Sequence, residues 1–274
     1  MSRRTFMVYV TAGEISDRRV RVASELAARF DAKLIGISAR TFPSDTFAHG
    51  PISTDTLNYE TQKIASEFKD REAHFRRLAG NAVARLEWRC EQEFPIQGVV
   101  REMRAADVLV IGTDREIKRP QQPLDPVTAL LRAGRPVLLL PDHVTQLPLA
   151  RIVVAWKDTR EARRVVLDAL FFLQNAKSVT LAGIGEDNRA EADIRKQLGD
   201  VATYLAEHGI AAEQLIVERP KKGAGEEIVR LAKEKDADLI VAGAYGRSQV
   251  GEWIFGGVTE TLITRSPIAC FLSH

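Results

Sequence analysis

The sequence predicts an α/β protein made of two doubly wound domains, each a five-stranded parallel sheet flanked by helices. Two observations predict it. The chain repeats itself in ordered segments, and within a repeat short apolar runs alternate with stripes of helical period. Ala106-Asp107-Val108-Leu109-Val110-Ile111-Gly112 returns as Ala237-Asp238-Leu239-Ile240-Val241-Ala242-Gly243. Continued without gaps, Val127-Thr128 falls on Val258-Thr259, Leu131 on Leu262 and Pro136 on Pro267. Earlier in each half Val10 pairs with Val154, Arg19 with Arg163, Val22 with Val166, and Ala32-Lys33 with Ala176-Lys177. The two registers differ, so the first half carries extra residues, most simply between Thr41 and Asn58. A polar connector bracketed by Pro141 and Pro148 then separates a first domain at 1–145 from a second at 149–274.

The elements of the second half follow in order. Residues 152–156 form a short apolar run fit for a buried parallel strand. In 160–173, Ala162, Val165, Val166, Ala169, Leu170 and Leu173 share one helical stripe. A strand over 178–184 precedes a helix marked by Ile194, Leu198, Val201 and Leu205. His208 ends that helix where a cation suits the dipole, and Gly209 suits the left-handed position beyond it. A strand over 214–217, a helix over 226–235 and a strand over 238–243 come next. A helix over 258–264 and a strand over 268–272 close the chain. In the first half, a helix carrying Ile64, Phe68, Phe75 and Leu78 follows the extra region. That region is either a tolerated loop insertion or a partner surface or lid.

Composition narrows the function classes. Hydrophobic residues make up 45% and charged residues 28%, as in a globular protein, and 39 basic against 37 acidic residues argue against a dedicated nucleic-acid binder. The apolar run after Arg3-Arg4 stops at Val10, too short for a signal segment or a membrane span, so a cytoplasmic protein without membrane partners is expected. Cys90 and Cys270 each lie in a strand-like stretch and read as small buried hydrophobes in a reducing compartment. The histidines show no metal-ligand spacing with the cysteines, and there is no nucleophile elbow or full phosphate loop.

In parallel α/β sheets ligands bind outside the carboxyl ends of the strands. In the second half, Gly243 and Gly246 end a strand, then Gly256-Gly257-Val258-Thr259 open a helix. Glycines permit close backbone approach, and a helix N-terminus suits a phosphate. These turns either cradle a polyphosphate or simply make tight strand-to-helix connections. Gly183-Ile184-Gly185 begins like a dinucleotide fingerprint but has Asn188 at the third glycine position, which makes it weak. Lys221-Lys222-Gly223-Ala224-Gly225 reads as a solvated turn before an aid to anion binding. Glu226-Glu227, Arg76-Arg77 and Arg163-Arg164 read as helix-start and solvated helix-face charges.

The run from Ala237-Asp238 through Gly243, Gly246 and Gly256 to Ser266-Pro267 resembles the universal stress protein signature. The sharp motif lies only in the second half. The resemblance implies an adenine nucleotide alpha hydrolase-like fold whose single domains pair through their last strands. Here that pairs 137–140 with 268–272 into an internal pseudo-dimer, with homodimerisation also open. It implies that Gly243, Gly246 and Gly256, with Arg247, Ser248 and Thr259, hold the phosphates of ATP, with magnesium if ATP binds. The candidate set is completed by Gly257 and Val258 and, at the first strand end, by Ala155, Lys157 and Asp158.

Two departures stand out. Gly257 occupies the place of a Ser or Thr phosphate donor. Lys157 stands where the family carries an Asp that contacts the nucleoside, and a cation accepts no hydrogen bonds. Asp158 or Thr159 reads first as the cap of the next helix. In the first half Arg115 stands opposite Gly246 and Asp125 opposite Gly256. Asp125-Pro126 is a plain helix start, and nucleotide binding by that half is not expected. Three functions remain: a non-catalytic stress-response module whose second domain binds ATP or a related nucleotide, a nucleotide-independent scaffold for an unknown protein partner, and a weak nucleotide hydrolase or adenylating enzyme. The last has no identifiable base, nucleophile or metal site.

Overall fold

The computed structural model describes residues 3–43, 46, 53–113, 124–185, 188–218, 223–244 and 257–274. The chain divides into two compact units, Met1–Ala133 and Gly134–His274. In the first, β1 (Thr5–Tyr9), α1 (Glu14–Arg29), β2 (Lys33–Ala39), α2 (Thr54–Ala79), β3 (Leu86–Glu91), α3 (Pro95–Glu102), β4 (Val108–Gly112) and α4 (Pro126–Arg132) follow one another. Its strands lie in the order β3-β2-β1-β4, all described pairs parallel. Helix α2 buries Ile64, Phe68, Phe75 and Ala79, a stripe of helical spacing. Gly36 makes room for it, since a methyl group there would lie 2.9 Å from the Phe75 ring. Residues 54–58 of the extra region are thus the first turn of α2, capped by the Ser53 hydroxyl, which accepts from the Thr56 amide at 3.2 Å. Helix α4 starts as its sequence suggests: the Asp125 carboxylate accepts from the Thr128 amide at 2.8 Å and Pro126 follows.

The second unit holds β5 (Val137–Leu140), β6 (Arg151–Trp156), α5 (Arg160–Leu173), β7 (Ser178–Gly185), α6 (Asn188–Glu207), β8 (Ala212–Glu218), α7 (Ala224–Glu234), β9 (Leu239–Gly243), α8 (Gly257–Arg265) and β10 (Ala269–Ser273). The strand order is β5-β10-β9-β6-β7-β8. Strands β6 to β10 are mutually parallel, the expected five-stranded doubly wound sheet. Strand β5, which the repeat assigns to the first half, lies in this second unit. It runs antiparallel to β10, with Cys270 opposite Leu139, Phe271 opposite Leu138 and Leu272 opposite Val137. All four β5 residues are buried, and over β10 the Phe172 ring meets Phe271 edge to face at 5.3 Å.

The repeated Ala-Asp pair has a structural task in each unit. The Asp107 carboxylate accepts from the Thr5 amide at 2.8 Å, and the Asp238 carboxylate accepts from the Ala150 and Arg151 amides at 2.7 and 2.8 Å. Each carboxylate therefore latches the start of a neighbouring strand, satisfying backbone donors that the ladder leaves unpaired. Helix α6 ends at Glu207, with His208 beyond it and Gly209 at φ 75°, where Gly is favoured. Among the described residues no helix is long and apolar enough to cross a membrane.

One expectation is corrected. Cys270 is buried in β10, but Cys90 is exposed, because β3 pairs only with β2 and forms the edge of its unit's sheet. Burial pushes the Cys270 thiol up to about 12. The Cys90 thiol is also raised, first by partial burial and then by the nearby Glu91 and Glu72 carboxylates. Since the thiolate is the reactive form, a hydrophilic disulfide reagent at mild alkaline pH is expected to label Cys90 alone, and slowly. Cys270 reacts only once guanidinium unfolds the chain; equal labelling of both thiols in the native protein contradicts this packing.

Candidate functional site

In the second unit the strand order reverses between β6 and β9, the adjacent pair from which connections run to opposite sides. A ligand crevice is expected outside the carboxyl ends of strands at such a point. Strand β6 brings Ala155, Trp156 and Lys157 to that edge, and β9 brings Gly243 and Ala244. Helices α7 and α8 begin close together: a methyl group at Gly225 would lie 2.7 Å from the Thr261 side chain and 3.0 Å from the Gly257 carbonyl.

The sequence-derived candidates separate by environment. Lys157 is exposed, just beyond the strand, and forms no ion pair among the described residues. Asp158 is also exposed, and its carboxylate is taken by Arg163 at 2.6 Å. The capping role falls to Thr159, whose hydroxyl accepts from the Ala162 amide at 3.2 Å to start α5. Ala155 is half-buried between Ala182 and Ala242, its partners on β7 and β9.

Gly257, at the start of α8, is exposed, and the space a side chain would fill is open. Val258 is half-buried and Thr259 is buried within the helix packing. A first turn of this kind, open to solvent at a glycine, leaves its amide groups reachable by an anion. Gly246, Arg247, Ser248 and Gly256 lie outside the described residues, as do Arg115 and the Lys221-Lys222 pair.

Gly243 has a reason to be glycine that spacing alone does not reveal. A methyl group there would lie 2.5 Å from the Ala162 amide nitrogen and 2.7 Å from the Glu161 carbonyl carbon. The first turn of α5 therefore rests on the end of β9, and only a bare α-carbon fits beneath it. Gly183 likewise lies inside β7, where a methyl group would lie 2.6 Å from Ile194 of α6. Helix packing accounts for that glycine, and the incomplete dinucleotide fingerprint is set aside.

Two side chains at this edge carry chemistry that the motif reading passed over. Glu161 is 4% exposed in the first turn of α5 and is paired with Arg160 at 2.9 Å. Its charge suits the positive end of the helix dipole. The indole Nε1 of Trp156 is buried and has no hydrogen-bond partner among the described residues, at the crevice end of β6. The sequence pairs Val10 with Val154, but the Asp107 and Asp238 latches align Thr5 with Arg151 and so place Val10 opposite Trp156, a shift of two residues.

Comparison with known proteins agrees with this architecture. Residues 148–274 match the model of the universal stress protein family. Universal stress protein MJ0577 of Methanocaldococcus jannaschii is 27% identical over 79 residues, which are 29% of this chain and 47% of that protein. The chain thus spans about half the length of that relative. A universal stress protein from Archaeoglobus fulgidus superposes with a TM-score of 0.73 at 15% identity, covering 98% of this chain and 96% of its own. A functionally unknown protein from Pseudomonas aeruginosa gives 0.62 at 16% identity, covering 99% and 92%. At such identities these two structures share the fold, over both halves.

The two glycines at the edge are expected to respond oppositely to substitution. Gly243→Ala should cost about 1–3 kcal/mol by forcing α5 off β9. Gly257→Ala should be neutral or stabilise by up to about 1 kcal/mol, because the added methyl meets open space in a helix. Denaturant unfolding of both variants checks the contrast, and equal costs would contradict it.

Proposed function

With residues 148–274 a universal stress protein domain, we propose that the chain is a tandem, non-catalytic module of that family whose second unit binds an adenine nucleotide. The observation that carries this reading is the start of α8, an exposed helix mouth at Gly257 with open space beside it, at the strand edge that also presents the unpaired Lys157. The α8 amide groups receive a phosphate and Lys157 adds the positive charge that screens it. In this reading Gly246, Arg247, Ser248 and Gly256 complete the phosphate cradle by their place in the motif. Ala155 and Gly243 supply the close backbone of the crevice floor, and Val258 and Thr259 hold α8 in place.

Lys157 serves the phosphates rather than the nucleoside, since it cannot accept the hydrogen bonds a base or ribose offers. The ligand is therefore held mainly through phosphate, with weak discrimination among bases. A scaffold role without nucleotide is the second reading, favoured by Lys157 and Gly257, which stand where the resemblance expects an Asp and a Ser or Thr.

Calorimetry of the full chain with ATP, ADP and AMP, with and without magnesium, tests the choice. The comparison variant is Gly257→Asp, which enters open space and places a carboxylate at the helix mouth. Binding that strengthens with phosphate number and is lost in the variant supports the nucleotide reading. No heat at millimolar ATP overturns it in favour of the scaffold.

A further inference from the structure

The same strand edge in the first unit is built differently. The Asp107 and Asp238 latches hold Thr5 and Arg151 alike, and Gly13 and Thr159 alike precede α1 and α5, so Val10 stands opposite Trp156 and Ala12 opposite Asp158. Where the second unit has the Trp156 indole and the Asp158 carboxylate, the first has the smaller Val10 and Ala12 side chains. A cavity of about 480 Å³ lies there, lined by Ala12, Arg40, Lys63, Glu67, Asp70 and Arg71. Its volume falls within the range of small-molecule sites.

The charges of this cavity are arranged in two tiers. At the floor, Arg71 donates through Nη1 to the buried Ser38 hydroxyl at 2.8 Å, and its Nη2 lies 3.6 Å from the Glu67 carboxylate. Arg40 donates through Nη1 to the same carboxylate oxygen. The Arg40 side chain is only 12% exposed, yet its Nε and Nη2 donate to no protein group among the described residues. Glu67 and Arg71 fix the guanidinium in place and leave its remaining donors free, as in a preorganised carboxylate fork. At the rim, Lys63, Glu67 and Asp70 share one face of α2 by their spacing. Neither Lys63 nor Asp70 has an ion-pair partner among the described residues.

Three cations against two carboxylates leave the lining with one positive charge. That balance suits a ligand with a single carboxylate, alone or beside one ammonium group, whereas a phosphate monoester would bring a second negative charge against Glu67 and Asp70. The free acceptor at Asp70 also calls for a donor on the ligand.

We propose that this cavity is a second, separate ligand site that binds a small monocarboxylate carrying a hydroxyl or amino group, an α-hydroxy or α-amino acid. The carboxylate meets Arg40 and Lys63, the donor meets Asp70, and the remaining volume accepts the acid's side chain. The site is independent of the nucleotide reading of the second unit. It makes the tandem chain a sensor with two different inputs, one at each strand edge.

Saturation-transfer NMR and calorimetry on the full chain, with L-lactate, L-phenyllactate, L-serine and L-glutamine each at about 10 mM, test it. At least one of the four is expected to bind. Lys63→Glu should weaken that binding by about tenfold or more without altering the unfolding midpoint, since Lys63 is exposed and unpaired. Ala12→Trp, which sets an indole into the cavity from its Ala12 wall, should abolish it, and Gly257→Asp should leave it unchanged. Absence of binding by all four acids overturns the proposal, as does binding that survives both Lys63→Glu and Ala12→Trp.

Discussion

The antiparallel pairing of β5 with β10 is the contact on which the second unit depends. Strand β10 is the last strand of its parallel set, and all five of its residues are buried. Left as an edge, such a strand would present unpaired backbone groups along an apolar ribbon, a template for pairing with other chains. Val137–Leu140 covers it with an equally buried apolar strand. The cover comes from the segment that the repeat assigns to the first half, so the polar connector before β6 joins two strands of one compact unit.

Once that sheet is closed, the chemistry of the chain is decided at strand ends. At the β6–β9 edge the first turn of α5 descends onto Gly243, while α8 begins at Gly257, beside which the described residues leave open space. The crevice is tight at the strand and open at the helix mouth, a shape that suits a phosphate held by amide groups more than a deeply enclosed base. Around Ala12 and Arg40 the first unit combines space with charge. Duplication has kept the latch of Asp107 and Asp238 at the opposite edge, where it serves folding, and has let the ligand-facing edges diverge.

Much of this was legible in the sequence because it depends on neighbours along the chain. The apolar runs that became β4, β6 and β9, the Asp125-Pro126 helix start and the His208-Gly209 stop are local patterns with local causes. The features that escaped depend on distant residues. Gly243 is read from spacing as a phosphate turn, yet its bare α-carbon is required by Glu161 and Ala162 of another helix. Cys90 looked buried in its strand-like run, and only the strand order shows that β3 is an edge. The Arg40–Glu67–Arg71 cluster joins a strand end to the middle of a long helix, and no spacing rule links them.

The assignment of β5 to the second unit is the claim that native-state hydrogen exchange tests most directly. Amide protection across a denaturant series would be followed at Leu138 and Leu139, at Val241 and Phe271 of the second unit, and at Val108 and Val110 of the first. Residues that open in one cooperative step share both an opening free energy and its denaturant dependence. The account predicts that Leu138 and Leu139 merge with Val241 and Phe271. Merging instead with Val108 and Val110, while Phe271 stays protected, would show that β5 unfolds with the first unit and that β10 is held without it.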